Sequence, residues 1–325
     1  MVISRTPFRI SLAGGGSDLK SFYKESPGAV ISSSIDKYIY LSMHTNFEPA
    51  GYLLKYSNTE NVMSIDDIQH DLIREVFRYF DIQNVNFNST ADIPAGTGMG
   101  SSSAFTCGLV NLCGRRSGLS LPSYEIAKIA CKIEIDILGE PIGKQDQYGC
   151  GYGGLKFIQF NPDESVEIKP ILLPYSKLVD LEDNLLLFYT ANTRKASSIL
   201  TEQKSNTINR SEVKDDLKAM VTLAERLFND LNNGDIESVG HYLNEGWQRK
   251  KKLASKISNS VINDMYELAM NNGAIGGKLL GAGGGGFLLL YVPGEKQEQF
   301  RNAFCNYREL PFKFEFEGTK IIFEQ

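Results

Sequence analysis

The alternation of hydrophobic and polar positions along the first half of the chain is typical of β-strands. Residues 30–43 form the longest β-rich stretch, and residues 51–56 are expected to pair with it as a hairpin. Apolar positions three and four residues apart instead predict helices. The other expected strands cover residues 5–12, 84–90, 155–160 and 184–190, and the expected helices cover residues 65–79, 102–116 and 123–138, the last with Ser123 as its N-cap.

The pattern becomes mainly helical after residue 193. A β-rich half therefore joins a helix-rich half that contains a small sheet, which predicts an α+β fold. We place the boundary between two domains of residues 1–175 and 176–325. The elements expected in the second half are amphipathic helices at residues 212–231, 236–247 and 260–270 and strands at residues 287–292 and 312–316.

Composition and charge narrow the class of protein. The chain has 325 residues, of which 42% are hydrophobic, and its net charge of −5 gives no attraction to nucleic acid or an anionic membrane. The five cysteines form no CxxC pair, and no long apolar segment resembles a signal peptide or a membrane span. We therefore expect a soluble, cytoplasmic protein that binds neither nucleic acid nor membrane. With three scattered histidines, a zinc site is not expected.

Three compact runs of glycine distinguish this sequence, and the second is the most informative. A strand ending near residue 90 leads through Pro94 into Gly-Thr-Gly-Met-Gly and a serine-rich helix start. Unpaired N–H groups at a helix N-terminus favour a phosphate, and serine hydroxyls there are suitable ligands for Mg²⁺. The alternative is a glycine turn with serine caps. The expected nucleotide-binding residues are Pro94, Gly96, Gly98, Gly100, Ser101, Ser102 and Ser103.

The third run contains a GxGxxG pattern at residues 281–286. A dinucleotide-binding fold requires a strand before this pattern, whereas here the strand follows it. Its glycines either approach a ligand or pack a hairpin tightly against another backbone. Gly283 and Gly284 are its candidate substrate-binding residues.

The first run places Arg9 and Asp18 on either side of a glycine turn, and two more carboxylates, Glu134 and Asp146, lie farther along the chain. A phosphotransferase needs a metal to neutralise phosphates and often a carboxylate to take the hydroxyl proton. Taken singly, each of these acids is more simply a surface or loop residue. Residues of the first run that are candidates for substrate binding are Gly14, Gly15, Gly16, Ser17 and Asp18.

Together the three motifs resemble the GHMP kinase superfamily. They occur in the family's order as PFRISLAGGGSD, PAGTGMGSSSAF and GAIGGKLLGAGGGGF, with Met99 where the family usually has Leu. The resemblance covers nearly the whole chain. It implies an N-terminal domain with a left-handed βαβ crossover, a ferredoxin-like C-terminal domain, and ATP as phosphoryl donor.

The same resemblance implies roles for individual residues. Asp146 matches the family's carboxylate base, and Arg9 matches the basic residue beside it. Asp18 corresponds to the acid that binds sugar hydroxyls. Ser102 and Glu134 fall where the family has its Mg²⁺ ligands.

Within the superfamily, AGGGSDLKSFY and GKQDQYG are similar to the D-glycero-D-manno-heptose 7-phosphate kinases. This implies phosphorylation of the anomeric hydroxyl to give the 1,7-bisphosphate, for nucleotide-activated heptose synthesis. A fucose- or galactose-type kinase and a non-catalytic sugar or nucleotide sensor are the alternatives. Lys20, Lys144 and Arg194 are candidates to bind the 7-phosphate, and residues 56–63 are a candidate region for the adenine. The sequence gives no oligomeric state.

Overall fold

A computed structural model describes residues 1–48, 50–191 and 197–325. Its strands are β1 (Val2–Ala13), β2 (Gly28–Thr45), β3 (Tyr52–Lys55), β4 (Thr59–Val62), β5 (Val85–Ala91), β6 (Leu155–Phe160), β7 (Val166–Pro170), β8 (Leu185–Tyr189), β9 (Gly276–Leu279), β10 (Phe287–Tyr291) and β11 (Lys320–Glu324). Its helices are α1 (Lys20–Tyr23), α2 (Asp71–Phe80), α3 (Ser101–Arg116), α4 (Ser123–Cys131), α5 (Gln145–Gly151), α6 (Tyr175–Asn184), α7 (Ser197–Asn209), α8 (Ser211–Asn232), α9 (Val239–Lys250), α10 (Ser260–Asn271) and α11 (Gln297–Ala303). Short 3₁₀ turns cover Ile65–Asp67 and Gly294–Lys296, and a π-helix covers Lys132–Ile137.

The large sheet has eight strands, and most of its positions come from the first half of the chain. Six strands run in the order β11-β1-β2-β5-β3-β4, and β6 with β7 pairs on the N-terminal part of β2. The predicted hairpin between residues 51–56 and 30–43 is wrong, because β3 pairs with β4 and β5 and not with β2. β3 and β5 are parallel, and α2 lies between them in the sequence. Two parallel neighbours need a crossover connection, because a tight hairpin turn makes the next strand antiparallel to the first.

The small sheet has three antiparallel strands in the order β8-β10-β9, and the sequence between β8 and β9 supplies helices α7 to α10. The α+β class and the predicted contrast between the two halves are confirmed. The chain then returns to the first sheet, where β11 pairs with β1. Residues 312–316 do not form the predicted strand, since Phe314 makes only an isolated bridge to Ile35.

The helix predicted over residues 102–116 is buried on nearly all sides, whereas the helix predicted over residues 65–79 buries a single apolar face. The prediction for residues 102–116 is confirmed by α3, which starts one residue earlier. The predicted helix 65–79 is divided into a 3₁₀ turn and α2. Ser123 is the first residue of α4 and not its N-cap, because Pro122 occupies the cap position with an extended backbone.

The predicted helix over residues 123–138 changes its winding after Cys131. Its last turn is a π-helix, which buries Ile133 and Glu134 together. π-Helical turns inside longer helices are rare and are frequent at functional sites. This winding turns a carboxylate inward beside the N-terminus of α3.

One hydrophobic core joins the two sheets. It includes apolar residues of β1, β2, β5 and α3 together with Leu227, Leu231 and Leu243 of α8 and α9. A second core packs the helices of the second half around the small sheet and buries Trp247 completely. No helix in the part of the chain that the structure describes is long and apolar enough to cross a membrane.

Candidate active site

The three glycine-rich motifs meet around one cavity of about 840 Å³. Residues from the first, second and third motifs all line it, although Phe8 and Gly285 are 277 positions apart in the chain. We call its side formed by residues 8–146 the N-terminal wall and its side formed by residues 197–285 the C-terminal wall. The predicted site residues that line the cavity are Arg9, Gly15, Gly16, Asp18, Gly96, Gly98, Gly100, Ser101, Ser102, Ser103, Glu134, Asp146 and Gly283.

The second motif forms a loop that only glycine can follow easily. Gly96, Gly98 and Gly100 have φ angles of 76°, 81° and 74°, in the left-handed region. Gly98 also lies against the third motif, where an added Cβ would be 2.4 Å from the carbonyl oxygen of Leu280. α3 begins directly after the loop, so the unpaired N–H groups and hydroxyls of its first turn line the cavity.

The buried Arg9 forms an ion pair with the partly exposed Asp146 on the N-terminal wall. The Arg9 Nε and Nη2 atoms donate to Asp146 Oδ1 at 2.9 and 2.7 Å, and Nη1 donates to the Gly98 carbonyl at 2.8 Å. Arg9 is 1% exposed, whereas the Asp146 side chain is 29% exposed. No described residue donates to Asp146 Oδ2. The guanidinium therefore fixes the carboxylate while one oxygen stays available to a ligand.

Asp18 lies close to this pair and is held by backbone groups. Its Oδ1 accepts from the Gly16 N–H at 2.9 Å and its Oδ2 from the Gln145 N–H at 3.1 Å. Burial raises the pKa of Asp18, and the negative charge of Asp146 raises it further. Gly143 has to be a glycine, because an added Cβ would lie 2.0 Å from Asp18 Oδ2.

Glu134 and Ser102 contact each other, as expected for two ligands of one metal. Ser102 Oγ donates to Glu134 Oε1 at 2.9 Å, and Gln147 Nε2 donates to Oε2 at 2.7 Å. Glu134 is 1% exposed, and burial raises its pKa to about 7. No lysine or arginine among the described residues neutralises it. A buried carboxylate beside a hydroxyl is a suitable donor set for Mg²⁺, which prefers oxygen ligands.

Several predicted residues shape the site without lining the cavity. Ser17 Oγ donates to the carbonyls of Gly14 and Ala29, and an added Cβ at Gly14 would clash with Ala29. The carbonyl of Pro94 accepts from the Thr97 hydroxyl within the second motif. The N–H of Gly284 donates to the Ile257 carbonyl at 2.9 Å.

The third motif supports its packing interpretation. An added Cβ at Gly281 would lie 2.5 Å from the Gly98 Cα, and one at Gly286 would lie 2.3 Å from the Thr97 carbonyl oxygen. The second and third motifs therefore interlock backbone against backbone. Gly283 lines the cavity, but it also packs against Ile257.

The lysines predicted to bind a phosphate do not line the cavity. Lys144 pairs with the Glu164 carboxylate and lies 4.7 Å from the centre of the Tyr23 ring. Lys20 pairs with the same carboxylate at 3.4 Å. Arg194 lies outside the described residues. The surroundings of Lys144 and Lys20 give the phosphate prediction no support.

The cavity contains functional groups that the sequence reasoning missed. Lys250 and Gln203 line the C-terminal wall although both are buried. Lys250 stands in a run of three lysines that looks like a solvated surface. The helical spacing of the sequence could have revealed it, because Lys250 lies on the same buried face of α9 as Leu243 and Trp247.

An aromatic group lines another part of the N-terminal wall. The His70 ring stacks on Phe105 with a centroid distance of 5.3 Å, and the Tyr56 ring meets it edge-on. All three line the cavity, as does Ser57. Tyr56 and Ser57 belong to the region that the sequence suggests for adenine, whereas His70 and Phe105 were missed.

Comparison with known proteins gives the class of protein. The family description "GHMP kinases N terminal domain" matches residues 68–154, and "GHMP kinases C terminal" matches residues 227–309. The chain belongs to the GHMP kinase family, as its motifs predict. Kinases of this family take ATP as phosphoryl donor.

Individual relatives narrow the comparison to sugar kinases. The chain is 28% identical to the D-glycero-alpha-D-manno-heptose 7-phosphate kinase of Campylobacter jejuni, covering 98% of this chain and 97% of the relative. It is 23% identical to the galactokinase of Pyrococcus furiosus, covering 98% and 96%. A crystal structure of a D-glycero-D-manno-heptose 1-phosphate kinase from Bacteroides thetaiotaomicron superimposes with a TM-score of 0.81 at 24% identity, covering all of both chains. These relatives support a sugar kinase of the GHMP superfamily.

Proposed function

We propose that this protein transfers the γ-phosphoryl group of ATP to the anomeric hydroxyl of D-glycero-D-manno-heptose 7-phosphate. The product is the 1,7-bisphosphate, an intermediate suited to nucleotide-activated heptose synthesis. The observation that carries the proposal is the Arg9–Asp146 pair, which leaves one oxygen of the Asp146 carboxylate available to a ligand. This oxygen lies at the cavity that the three glycine-rich motifs line. The similarity to the Campylobacter jejuni relative supports the choice of acceptor.

The acceptor would bind between Asp18 and Asp146. Asp18 is fixed by two backbone N–H groups, so its carboxyl oxygens can contact sugar hydroxyls without moving. Asp146 Oδ2 would take the proton from the anomeric hydroxyl as its oxygen bonds to the γ-phosphorus. The bond from that phosphorus to the β–γ bridging oxygen breaks, and ADP leaves. The Arg9 guanidinium holds Asp146 in place throughout.

The donor would bind along the N-terminal wall. The loop of Gly96 to Gly100 and the first turn of α3 present N–H groups and hydroxyls that suit the phosphates of ATP. The aromatic group of Tyr56, His70 and Phe105 offers ring faces and edges for the adenine. These two features lie on the same wall, as a bound nucleotide requires.

Ser102 and Glu134 would hold Mg²⁺. The ion supplies positive charge that offsets the phosphate charge during transfer. Gln147 orients the Glu134 carboxylate by its hydrogen bond to Oε2.

A coupled assay of ADP release tests the proposal with a panel of heptose 7-phosphate, unphosphorylated heptose, fucose and galactose. We expect heptose 7-phosphate to give the highest kcat/KM and its product to carry a new phosphate on C1 by phosphorus NMR. A higher kcat/KM with fucose or galactose would contradict the heptose assignment. No turnover with any acceptor would favour the sensor alternative.

A further inference from the structure

Lys250 is the one cation on the described cavity lining that is not committed to a carboxylate. Arg9, the other cationic residue there, uses its donors on Asp146 and the Gly98 carbonyl. The Lys250 ammonium donates to the carbonyl oxygen of Gly281 and forms no ion pair within the described residues. An ammonium group has three donors, so two remain for a ligand. Burying an ammonium charge with so few hydrogen-bond partners destabilises the folded protein unless an anion pairs with it.

Gln203 provides a second donor on the same wall. Its side chain is 1% exposed, lines the cavity, and has an amide nitrogen with no hydrogen-bond partner among the described residues. The amide lies beside the first motif, since an added Cβ on Gly16 would be 2.5 Å from Nε2. Buried amide donors are normally satisfied, so this one also indicates a missing acceptor.

Gln203 and Lys250 lie beside the loop that holds Asp18. The Gly16 N–H donates to Asp18, and an added Cβ on Gly16 would lie 2.5 Å from Gln203 Nε2 and 3.5 Å from Leu253 Cδ1. Leu253 comes three residues after Lys250, and its N–H donates to the Lys250 carbonyl at 3.1 Å. Burial lowers the pKa of Lys250 to about 8, whereas the charges of Asp18 and Asp146 raise it. This neighbourhood is the one assigned to the acceptor.

We propose that Lys250 and Gln203 form a subsite for a phosphate group carried by the acceptor. This inference rests on the proposed function and assigns a specificity-determining role within it. A phosphate dianion provides the acceptors that the ammonium and the amide lack, through charge-assisted hydrogen bonds. In this proposal, Lys250 and Gln203 bind the acceptor phosphate in place of Lys20 and Lys144, which are paired with Glu164.

The test compares the full-length parent with Lys250→Met, Gln203→Leu and the control Lys252→Met. Lys252 is exposed and lies outside the cavity lining, so its variant changes the net charge equally without touching the subsite. For each protein, kcat and KM are measured with heptose 7-phosphate, with unphosphorylated heptose and with ATP.

We expect Lys250→Met to lower kcat/KM for heptose 7-phosphate by roughly tenfold to a hundredfold, mainly through KM. Its kcat/KM for unphosphorylated heptose and its KM for ATP should match the parent. Gln203→Leu should show the same selectivity with a smaller loss, and Lys252→Met should show none. If Lys250→Met does not fold, Gln203→Leu carries the test alone, and an unchanged preference in it would overturn the subsite.

Equal losses with both acceptors, or a raised KM for ATP, would contradict the subsite and assign Lys250 to the donor. These outcomes are distinct from failure of the proposed function. A parent that uses both acceptors equally contradicts the heptose 7-phosphate assignment itself. A parent that prefers the phosphorylated acceptor, with a Lys250→Met variant that keeps this preference, contradicts the subsite only.

Discussion

The two walls of the cavity differ in how their charged groups are satisfied. On the N-terminal wall, Arg9 pairs with Asp146, and both oxygens of Asp18 and of Glu134 accept hydrogen bonds. On the C-terminal wall, the ammonium of Lys250 has one carbonyl partner and no carboxylate partner among the described residues. Unpaired buried neutral groups occur on both walls, at Gln203 Nε2 on one and at His70 Nδ1 and Gln145 Oε1 on the other.

The first kind of group is already fixed by partners within the protein, whereas the second kind keeps donors that a ligand can use. Reacting groups benefit from being fixed before the substrate arrives, because no reorganisation is then needed during the reaction. Recognition groups with free donors gain their partner only from the correct ligand, and an analogue without that partner leaves them unpaired. We therefore expect the N-terminal wall to carry the reacting groups and the C-terminal wall to select the acceptor.

The largest effect is expected for Asp146→Asn. Without a carboxylate to take the proton, kcat should fall by roughly tenfold to ten-thousandfold. KM for ATP should stay near that of the parent, and the asparagine oxygen still accepts from Arg9. Steady-state kinetics measure both constants, with Asp136→Asn as the control because Asp136 is an exposed acid. Undiminished turnover would show that Arg9 acts through its charge and that no base is needed.

The second prediction compares stability across the two walls. Arg9→Met leaves Asp146 and the Gly98 carbonyl without their donor, so the free energy of unfolding should fall by about 2–4 kcal/mol. Lys250→Met removes a buried charge with one partner, so at pH 7 it should cost nothing or raise the Tm. Denaturant unfolding and calorimetry measure both changes.

The size of the stability change in Lys250→Met depends on pH. Because its pKa is lowered to about 8 in the folded protein, the cost of burying the charge is present below pH 8 and fades as the pH rises toward the ordinary lysine value. The charged groups facing it are Arg9, Asp18, Asp146 and Lys278. A Lys250→Met loss as large as that of Arg9→Met would remove the contrast between the walls.

The third prediction concerns metal on the N-terminal wall. Ser102→Ala and Glu134→Gln each remove an oxygen ligand, so the Mg²⁺ concentration for half-maximal activity should rise, by about tenfold for Glu134→Gln and less for Ser102→Ala. Mg²⁺ titrations of activity provide the measurement, and Asp136→Asn should behave like the parent. Curves that overlay the parent for both variants would make the metal assignment wrong.

The smallest effect is a pH dependence of acceptor choice. The ratio of kcat/KM for heptose 7-phosphate to that for unphosphorylated heptose should fall roughly severalfold between pH 7.5 and 9.5, as Lys250 loses its proton. The phosphate stays a dianion over this range, because its second pKa is about 6. In Lys250→Met the ratio should be flat. If the ratio in the parent also stays constant with pH, the charge of Lys250 does not cause the preference for the phosphorylated acceptor.

The local elements were the most predictable part of the fold. α3 follows from its apolar helical pattern, and β5 follows from its alternating pattern because it buries one face. Strand partners were not predictable in this way. β3 was recognised as a strand, but the alternation that identifies a strand carries no information on which neighbour it pairs with.

The candidate site shows the same division. Asp146, Arg9 and Glu134 came from motif resemblance, and the structure brings all three to one wall, where their roles remain predictions. Lys144 is adjacent to a motif, but its side chain contacts Tyr23 and Glu164 and does not line the cavity. The position of a residue in the sequence does not reveal the direction of its side chain. Lys250 was missed because a run of lysines is usually solvated, and the burial of one member is set by tertiary packing.

The interlock of the two glycine loops also sets an order of events during synthesis. Gly98 and Thr97 pack against Leu280, Gly281 and Gly286, which the ribosome adds about 180 residues later. A nascent or truncated chain that ends before residue 280 lacks the backbone against which the loop of the second motif packs. The loop of the second motif therefore gains its described packing only after residue 286 has been made.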